Sequence, residues 1–229
     1  MHRSVKFNLN NPYKPDEIVA QEVLVSDKLQ YSYDKASWIS LDAEFLGLNI
    51  NRDALCSVQI ASEDPTEVER QRVEIVYTYQ QKVDEDLRTL LRSDIIKIFH
   101  VFSSDMPMLM KYFGTDIRGD IFDTKIASKI VWTNSQNSSK TNLIKSLIDP
   151  HYQKLEKGDS RWEIEPKNWS EEMIEYAAKD VLYLNPLMIK FEKIAKDRNR
   201  SEILNESMKT LPVLSKLILN GYDLDVYQF

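Results

Sequence analysis

The sequence has 229 residues, of which 42% are hydrophobic and 29% are charged, and its net charge is −6. These values fit one large globular domain over residues 1–229 and exclude low-complexity classes of chain. The excess of acids argues against broad, non-specific binding to duplex nucleic acid, although clustered carboxylates that hold cations would still present positive charge to a phosphate.

Cysteine content and hydropathy restrict the chemistry and the compartment. The one cysteine, Cys56, excludes an intrachain disulfide and a cysteine-based zinc site, and only 3 histidines are present. The N-terminus lacks the apolar segment of a secretory leader, and no stretch approaches the ~20 apolar residues that span a bilayer. We therefore expect a cytoplasmic protein with no membrane contact and no disulfide-linked partner.

Strand patterns dominate the first hundred residues, after a polar lead-in over 1–35 that predicts one helix near 16–25. Apolar and polar residues alternate from Trp38 onwards, which is typical of a strand. An acidic loop is predicted at 63–70, and a hairpin turn at 51–53. The predicted strands are 38–45, 55–61, 73–77 and 95–99.

Helical patterns dominate the rest of the chain, with a polar loop at 133–140 and a longer charged segment at 154–169. Asp84 is a candidate cap for one helix, and Gly114 is expected to end another. Antiparallel strands followed by alternating strands and helices predict an α/β fold with a mixed sheet covered by helices. The predicted helices are 84–91, 105–113, 124–132, 141–147, 170–184 and 187–198, with one or two more before the C-terminus.

Asp42 and Glu44 are two positions apart on the first predicted strand. Side chains at this spacing share a face, so both carboxylates project together. Two like charges side by side repel each other, and such a pair is normally held by a cation or a shared proton. The alternative is an ordinary solvated strand face.

Two further acids lie where helices meet the predicted sheet. Asp180 falls beside the apolar stripe of its helix, where an ionised carboxylate needs compensation, and Tyr176 lies one turn before it. Asp105 follows a buried strand at a predicted helix start. The alternatives are a boundary aspartate for Asp180 and an N-cap for Asp105.

Three segments together resemble the tyrosine-containing branch of the DEDD exonucleases, and ribonuclease D within it. They are Leu-Asp-Ala-Glu-Phe at 41–45, Lys-Ile-Phe-His-Val-Phe-Ser-Ser-Asp at 97–105 and Glu-Tyr-Ala-Ala-Lys-Asp-Val-Leu-Tyr-Leu at 175–184. Phe122-Asp123-Thr124 and Ser160-Arg161-Trp162 also look like landmarks of the family. The resemblance covers about 38–187 and leaves C-terminal helices at 187–229.

This resemblance implies a ribonuclease H-like mixed five-stranded sheet and two divalent ions, Mg²⁺ or Mn²⁺. It implies that Asp42 bridges both ions, that Glu44 and Asp180 share one of them, and that Asp105 acts largely through water on the other. Tyr176 would orient or help deprotonate the attacking water.

The implied activity is 3′→5′ hydrolysis of RNA 3′ ends with release of nucleoside 5′-monophosphates, including 3′-end processing of tRNA or structured RNA. Two other functions stay open: a DNA 3′→5′ exonuclease of the same fold, and an inactive RNA- or protein-binding scaffold. The presence of all four acids and Tyr176 favours an enzyme. The candidate substrate contacts are Phe45, Leu46, His100 and Trp162, each of which has ordinary packing as its alternative.

Overall fold

The computed structural model describes residues 2–47, 49–67, 69–133, 137–155 and 161–227. Its centre is one mixed sheet, so the predicted α/β fold is confirmed. The strands are β1 (His2–Asn11), β2 (Lys14–Ser26), β3 (Trp38–Phe45), β4 (Leu55–Glu63), β5 (Gln71–Tyr77), β6 (Ile96–Phe99) and β7 (Ile121–Asp123). Their order across the sheet is β1-β2-β5-β4-β3-β6-β7.

Helices flank this sheet and make up most of the second half of the chain. Several begin at a side-chain cap, among them Asp84, Ser139 and Ser170, as helix starts commonly do. The helices are α1 (Glu85–Arg92), α2 (Phe102–Phe113), α3 (Thr124–Val131), α4 (Lys140–Leu147), α5 (Glu171–Leu182), α6 (Leu184–Asp197), α7 (Ser201–Lys209) and α8 (Leu211–Leu219).

The N-terminal region is a β-hairpin, and the helix predicted near 16–25 is wrong. Strand β2 runs antiparallel to β1 and parallel to β5, so the sheet has seven strands where the family resemblance implied five. Val19, Val23 and Val25 are buried at strand spacing, but the buried position between the first two holds a glutamine. The Gln21 amide donates to the Gln71 carbonyl at 3.0 Å, and this polar residue hides the alternation from a hydropathy reading.

The other predicted strands and helices are confirmed to within a few residues. Gly114 ends α2 in the left-handed conformation at φ 57°, where glycine is favoured. The N-cap reading of Asp105 is wrong, because α2 begins at Phe102 and places this aspartate in the first turn. Strand β7 was not predicted, since three residues carry too little periodicity.

The sheet topology brings several chain segments to one edge. Strand β3 lies between antiparallel β4 and parallel β6, and β7 is parallel to β6. The carboxyl ends of β3, β6 and β7 therefore point the same way, and α2 and α3 begin directly after β6 and β7. Helix α5 packs across β3, β4 and β5. Residues from these strands and from the helices that follow them or pack on them can therefore meet at this edge.

Parts of two predicted segments, the loop at 133–140 and the charged segment at 154–169, lie outside the described residues, which omit 134–136 and 156–160. The described end of the second segment contains a short 3₁₀ turn, Pro166–Asn168. Within the ranges that the structure describes, no helix is long and apolar enough to cross a bilayer. Cys56 is buried in β4, and burial raises the pKa of its thiol to about 12.

Candidate active site

Asp42 and Glu44 lie near the carboxyl end of β3, on the same face of the sheet as predicted. Asp42 pairs with Gln59 of β4 and Glu44 with Ser57, so both are fixed by a strand that has neighbours on both sides. A register shift between Glu44 and Phe45 marks a bulge, a feature that commonly re-aims side chains at the end of a strand. Glu44 is buried and Asp42 is half-buried.

Helix α5 brings Asp180 to this pair. Its N-terminus is fixed by Ser170, whose hydroxyl accepts from the Met173 amide at 3.2 Å. Buried Ala177 and Ala178 form part of the face that packs on the sheet, and Asp180 is buried beside them. One carboxylate oxygen from each of Asp42, Glu44 and Asp180 can be chosen so that all three lie within 4.8 Å of one another.

Asp105 is carried by the strained connection between β6 and α2. Val101 has φ 70° and ψ 65°, a conformation that β-branched residues rarely adopt. The carboxylate of buried Asp123, at the end of β7, accepts from the Phe102 amide at 2.7 Å and caps α3 through the Ile126 amide at 2.8 Å. Asp123 therefore fixes the start of the helix that holds Asp105.

Burial and charge act together on Asp105. Burial, and then the neighbouring charge of Asp42, raise the pKa of this carboxyl well above its ordinary value. Glu44 and Asp123 act in the same direction, and Lys140 opposes them. An added cation would oppose these effects, because a nearby opposite charge favours the ionised carboxylate.

Lys140, a residue that sequence reasoning missed, lies inside the cluster. It is the first residue of α4, and its ammonium forms an ion pair with the Asp180 carboxylate and donates to the Asp180 carbonyl at 3.2 Å. Burial alone lowers the pKa of Lys140, but the charges of Asp180 and Asp42 outweigh it, so that this pKa is raised. One feature of the sequence could have indicated this residue: a lysine follows directly after the cap Ser139, at a helix start where the helix dipole disfavours a cation.

Tyr176 lies one turn before Asp180 on α5 and is half-buried. Burial, followed by the charges of Asp180 and Glu44, raises the pKa of its hydroxyl above the ordinary value of 10.0. The hydroxyl therefore keeps its proton at neutral pH. This state suits a group that orients water and does not suit a general base.

His100 follows β6 and lies beside the same cluster. Its Nδ1 is 2.8 Å from the Thr124 hydroxyl. Burial, then the nearby charge of Lys140, lowers the pKa of the imidazole to about 3. A neutral imidazole at working pH could donate or accept a hydrogen bond, but it would not contribute a positive charge to a phosphate.

The remaining predicted substrate contacts differ in exposure. Leu46 is 48% exposed just beyond β3, while Phe45 is half-buried. In the loop that follows, Gly47 leaves room for the Asp53 carboxylate, with which a Cβ at this position would clash. Trp162 is only 1% exposed and packs edge-to-face on Trp169 at 5.1 Å, so this structure offers almost none of its surface for the substrate contact predicted for it.

The donor set fits a hard divalent cation. Asp42, Glu44 and Asp180 offer three carboxylate oxygens in one group, and Mg²⁺ and Mn²⁺ prefer oxygen ligands. Asp105 is not a member of this group, although its charge interacts with those of Asp42 and Glu44. Asp105 is therefore near enough to feel the charges of Asp42 and Glu44, but its carboxylate oxygens are not part of the group of three oxygens within 4.8 Å of one another.

Comparison with protein-family models identifies the chain. A model described as 3′-5′ exonuclease matches residues 17–196, which is more than half of the sequence. The chain belongs to the 3′-5′ exonuclease family. The match begins inside β2, so it extends beyond the 38–187 expected from the three motifs and includes part of the N-terminal hairpin.

Individual relatives agree with this assignment. The ribonuclease D of Gluconacetobacter diazotrophicus is 30% identical over 149 residues, which cover 64% of this chain and 35% of that protein. Brucella melitensis NrnC is 31% identical with a TM-score of 0.77 over 89% of this chain and 96% of that one, and it has also been solved with bound Mg²⁺ and bound to pGG.

The ribonuclease D proteins are longer than the region they share with this chain. Escherichia coli RNase D, 21% identical, shares the fold with a TM-score of 0.64 over 79% of this chain and 45% of that one. The chain thus spans less than half the length of either ribonuclease D relative.

Proposed function

We propose that the protein is a metal-dependent 3′→5′ exonuclease that removes nucleotides from RNA 3′ ends and releases nucleoside 5′-monophosphates. The observation that carries this proposal is the group formed by Asp42, Glu44 and Asp180, with Asp105 and Tyr176 beside it. The family match, the ribonuclease D relatives and the complex of Brucella melitensis NrnC with pGG support it.

Each side chain is assigned a role in this proposal. Asp42, Glu44 and Asp180 would hold the metal, with Asp42 shared between two Mg²⁺ or Mn²⁺ ions and Asp105 contributing to the second. Bound there, the ions would supply Lewis-acid stabilisation of the phosphodiester and a more acidic water. Tyr176 would orient the attacking water through its protonated hydroxyl, and His100 would offer a neutral hydrogen-bonding group to the 3′ end.

The half-exposed Leu46 and its neighbour Phe45 are proposed to contact the terminal base. They follow directly after the acidic strand, so a base that lies against Leu46 would place its own phosphate near Asp42 and Glu44. An apolar side chain accepts any base, which suits an enzyme that steps along a chain without sequence preference.

The direct test uses one 5′-labelled single strand, prepared as RNA and as DNA, with Mg²⁺ or Mn²⁺. We expect a ladder that shortens from full length, loss of activity with a chelator, and slowing by a 3′-phosphate. A circular RNA of the same sequence is the matched substrate control and should stay intact. Release of labelled mononucleotide at the first time points, or internal cuts in the circle, would contradict the assigned direction. Faster digestion of the DNA strand would assign the substrate to DNA.

A further inference from the structure

Lys140 is a nearly buried cation in a group of metal-ligand candidates. Its side chain is 15% exposed, and that of its partner Asp180 is 10% exposed. The ammonium is held by the Asp180 carboxylate and by the Asp180 carbonyl at 3.2 Å, so two oxygens of the same residue fix it. Its charge also acts on Asp42, Asp105 and His100.

The position is costly for a lysine. An ammonium taken out of water loses hydration, and its partners in the protein must offset this loss. The first turn of a helix adds a further unfavourable interaction with the positive end of the dipole. An offsetting interaction comes from the acids of the site, because the charges of Asp180 and Asp42 raise the pKa of Lys140 against the effect of burial, and the Asp180 carboxylate forms an ion pair with its ammonium.

Asp180 is the residue through which Lys140 and a divalent ion would meet. One of its oxygens belongs to the three-acid group that suits a divalent ion, and its side chain is also the partner of Lys140. A divalent ion bound by the group would stand near the ammonium, and the two positive charges would repel in a partly dehydrated site.

We propose that Lys140 is an internal counter-cation, which holds the acidic cluster together in the metal-free protein and gives up its contact with Asp180 when a divalent ion binds. This inference rests on the metal site of the proposed function and adds that metal loading is an exchange of one cation for another. Lys140 then lowers metal affinity and stabilises the metal-free fold.

The test measures Mn²⁺ binding by electron paramagnetic resonance on the full chain, with the substitution Lys140→Met and the matched control Lys145→Met on the exposed face of α4. We expect Lys140→Met to bind Mn²⁺ about tenfold more tightly, because removal of one adjacent charge relieves repulsion of at least this size. Its metal-free melting temperature should fall, and addition of Mn²⁺ should raise it by more than in the parent. Lys145→Met should match the parent in both measurements.

A second measurement needs no substitution and decides the matter if Lys140→Met does not fold. Acetylation of Lys140 in the parent, followed by mass spectrometry, should become several-fold faster when Mg²⁺ is added, while Lys145 stays unchanged. Equal or weaker Mn²⁺ binding by Lys140→Met, or acetylation that Mg²⁺ does not accelerate, would overturn the exchange. A parent that binds no Mn²⁺ and leaves RNA intact would instead overturn the proposed function.

Discussion

Two buried carboxylate centres of this protein have opposite surroundings. Glu74 on β5 has no exposed surface, and its carboxylate accepts four hydrogen bonds. The backbone amides of Gln30 and Tyr31 donate to it at 2.6 and 3.3 Å, and the hydroxyls of Tyr33 and Ser26 each donate at 3.3 Å. In the centre formed by Asp42, Glu44, Asp105 and Asp180, the charges of Asp42 and Glu44 act on Asp105, and Lys140 forms an ion pair with Asp180.

This difference separates a structural carboxylate from those that we propose hold a metal. The donors around Glu74 are fixed by the strand and by the segment that follows β2, so its charge is balanced by the fold itself. At the acidic cluster the charges of Asp42, Glu44 and Asp123 raise the pKa of Asp105, an effect that a bound cation would oppose. A buried acid is therefore informative about function mainly through its neighbours, and less through its burial.

The largest expected effect comes from removing one charge of the cluster. Asp42→Asn preserves shape and deletes the carboxylate proposed to bridge the ions, so we expect RNA hydrolysis to fall by several orders of magnitude, since such electrostatic terms are often worth ~3 kcal/mol or more of the barrier. The metal-free protein should melt close to the parent, because the charge of Asp42 opposes ionisation of Asp105 but also stabilises the Lys140 ammonium.

The matched control for this substitution is Asp197→Asn, at the exposed end of α6, which should leave both activity and melting temperature close to those of the parent. Hydrolysis rates and thermal melts of the three proteins make the comparison. An Asp42→Asn protein that degrades RNA near the parental rate would show that the cluster is a second structural centre.

The next effect concerns Tyr176, which borders the cluster without belonging to the acids. Tyr176→Phe keeps the ring and its packing and deletes the hydroxyl, whose pKa is raised and which therefore acts in its protonated form. We expect turnover to fall roughly 10²-fold, the low end for a positioned acid–base group. Mn²⁺ affinity and melting temperature should stay nearly unchanged, which separates this substitution from Asp180→Asn, where metal binding itself should weaken.

Tyr222→Phe, at an exposed tyrosine after α8, is the control for loss of a hydroxyl. Single-turnover rates with saturating metal compare the two variants with the parent. If Tyr176→Phe matches Tyr222→Phe, the Tyr176 hydroxyl does not take part in the reaction and the residue serves packing alone.

The two centres also differ in how far the sequence predicts them. Asp42, Glu44 and Asp180 were predicted because strand and helix spacing fix which face each side chain shares, and the family resemblance joins them. Lys140 was not predicted, because its contact with Asp180 joins residues 40 positions apart and depends on how α4 packs. Glu74 was missed for the same reason: its donors come from a segment more than 40 residues earlier in the chain.

The fold shows the same limit. Strands β3 to β6 were predicted from the local sequence, whereas β2 was mistaken for a helix because buried Gln21 interrupts the apolar pattern. The Gln21 side-chain amide donates to the carbonyls of Glu22 and of Gln71 on the parallel neighbour β5. The burial of Trp162 likewise depends on Trp169 and the chain around it. Contacts between distant segments determine these features, so they cannot be predicted from the pattern of the local sequence.

The smallest expected effect, one of stability alone, comes from Glu74→Gln. The amide keeps one accepting oxygen and turns the other into a donor that faces existing donors, so we expect a loss of about 1–3 kcal/mol in the free energy of unfolding.

Burial raises the pKa of Glu74 despite its hydrogen bonds. The native state therefore binds this proton more tightly than the unfolded chain, and the Glu74 contribution to stability falls as pH rises from about 4.5 through the raised pKa. Urea unfolding between pH 4 and 8 should show this slope in the parent and in the exposed control Glu202→Gln, and a smaller slope in Glu74→Gln. RNA hydrolysis per folded molecule should stay at the parental level in both variants. A loss of activity in folded Glu74→Gln would show that the two centres are coupled through the sheet, since β4 is the strand that joins β5 to the acidic strand β3.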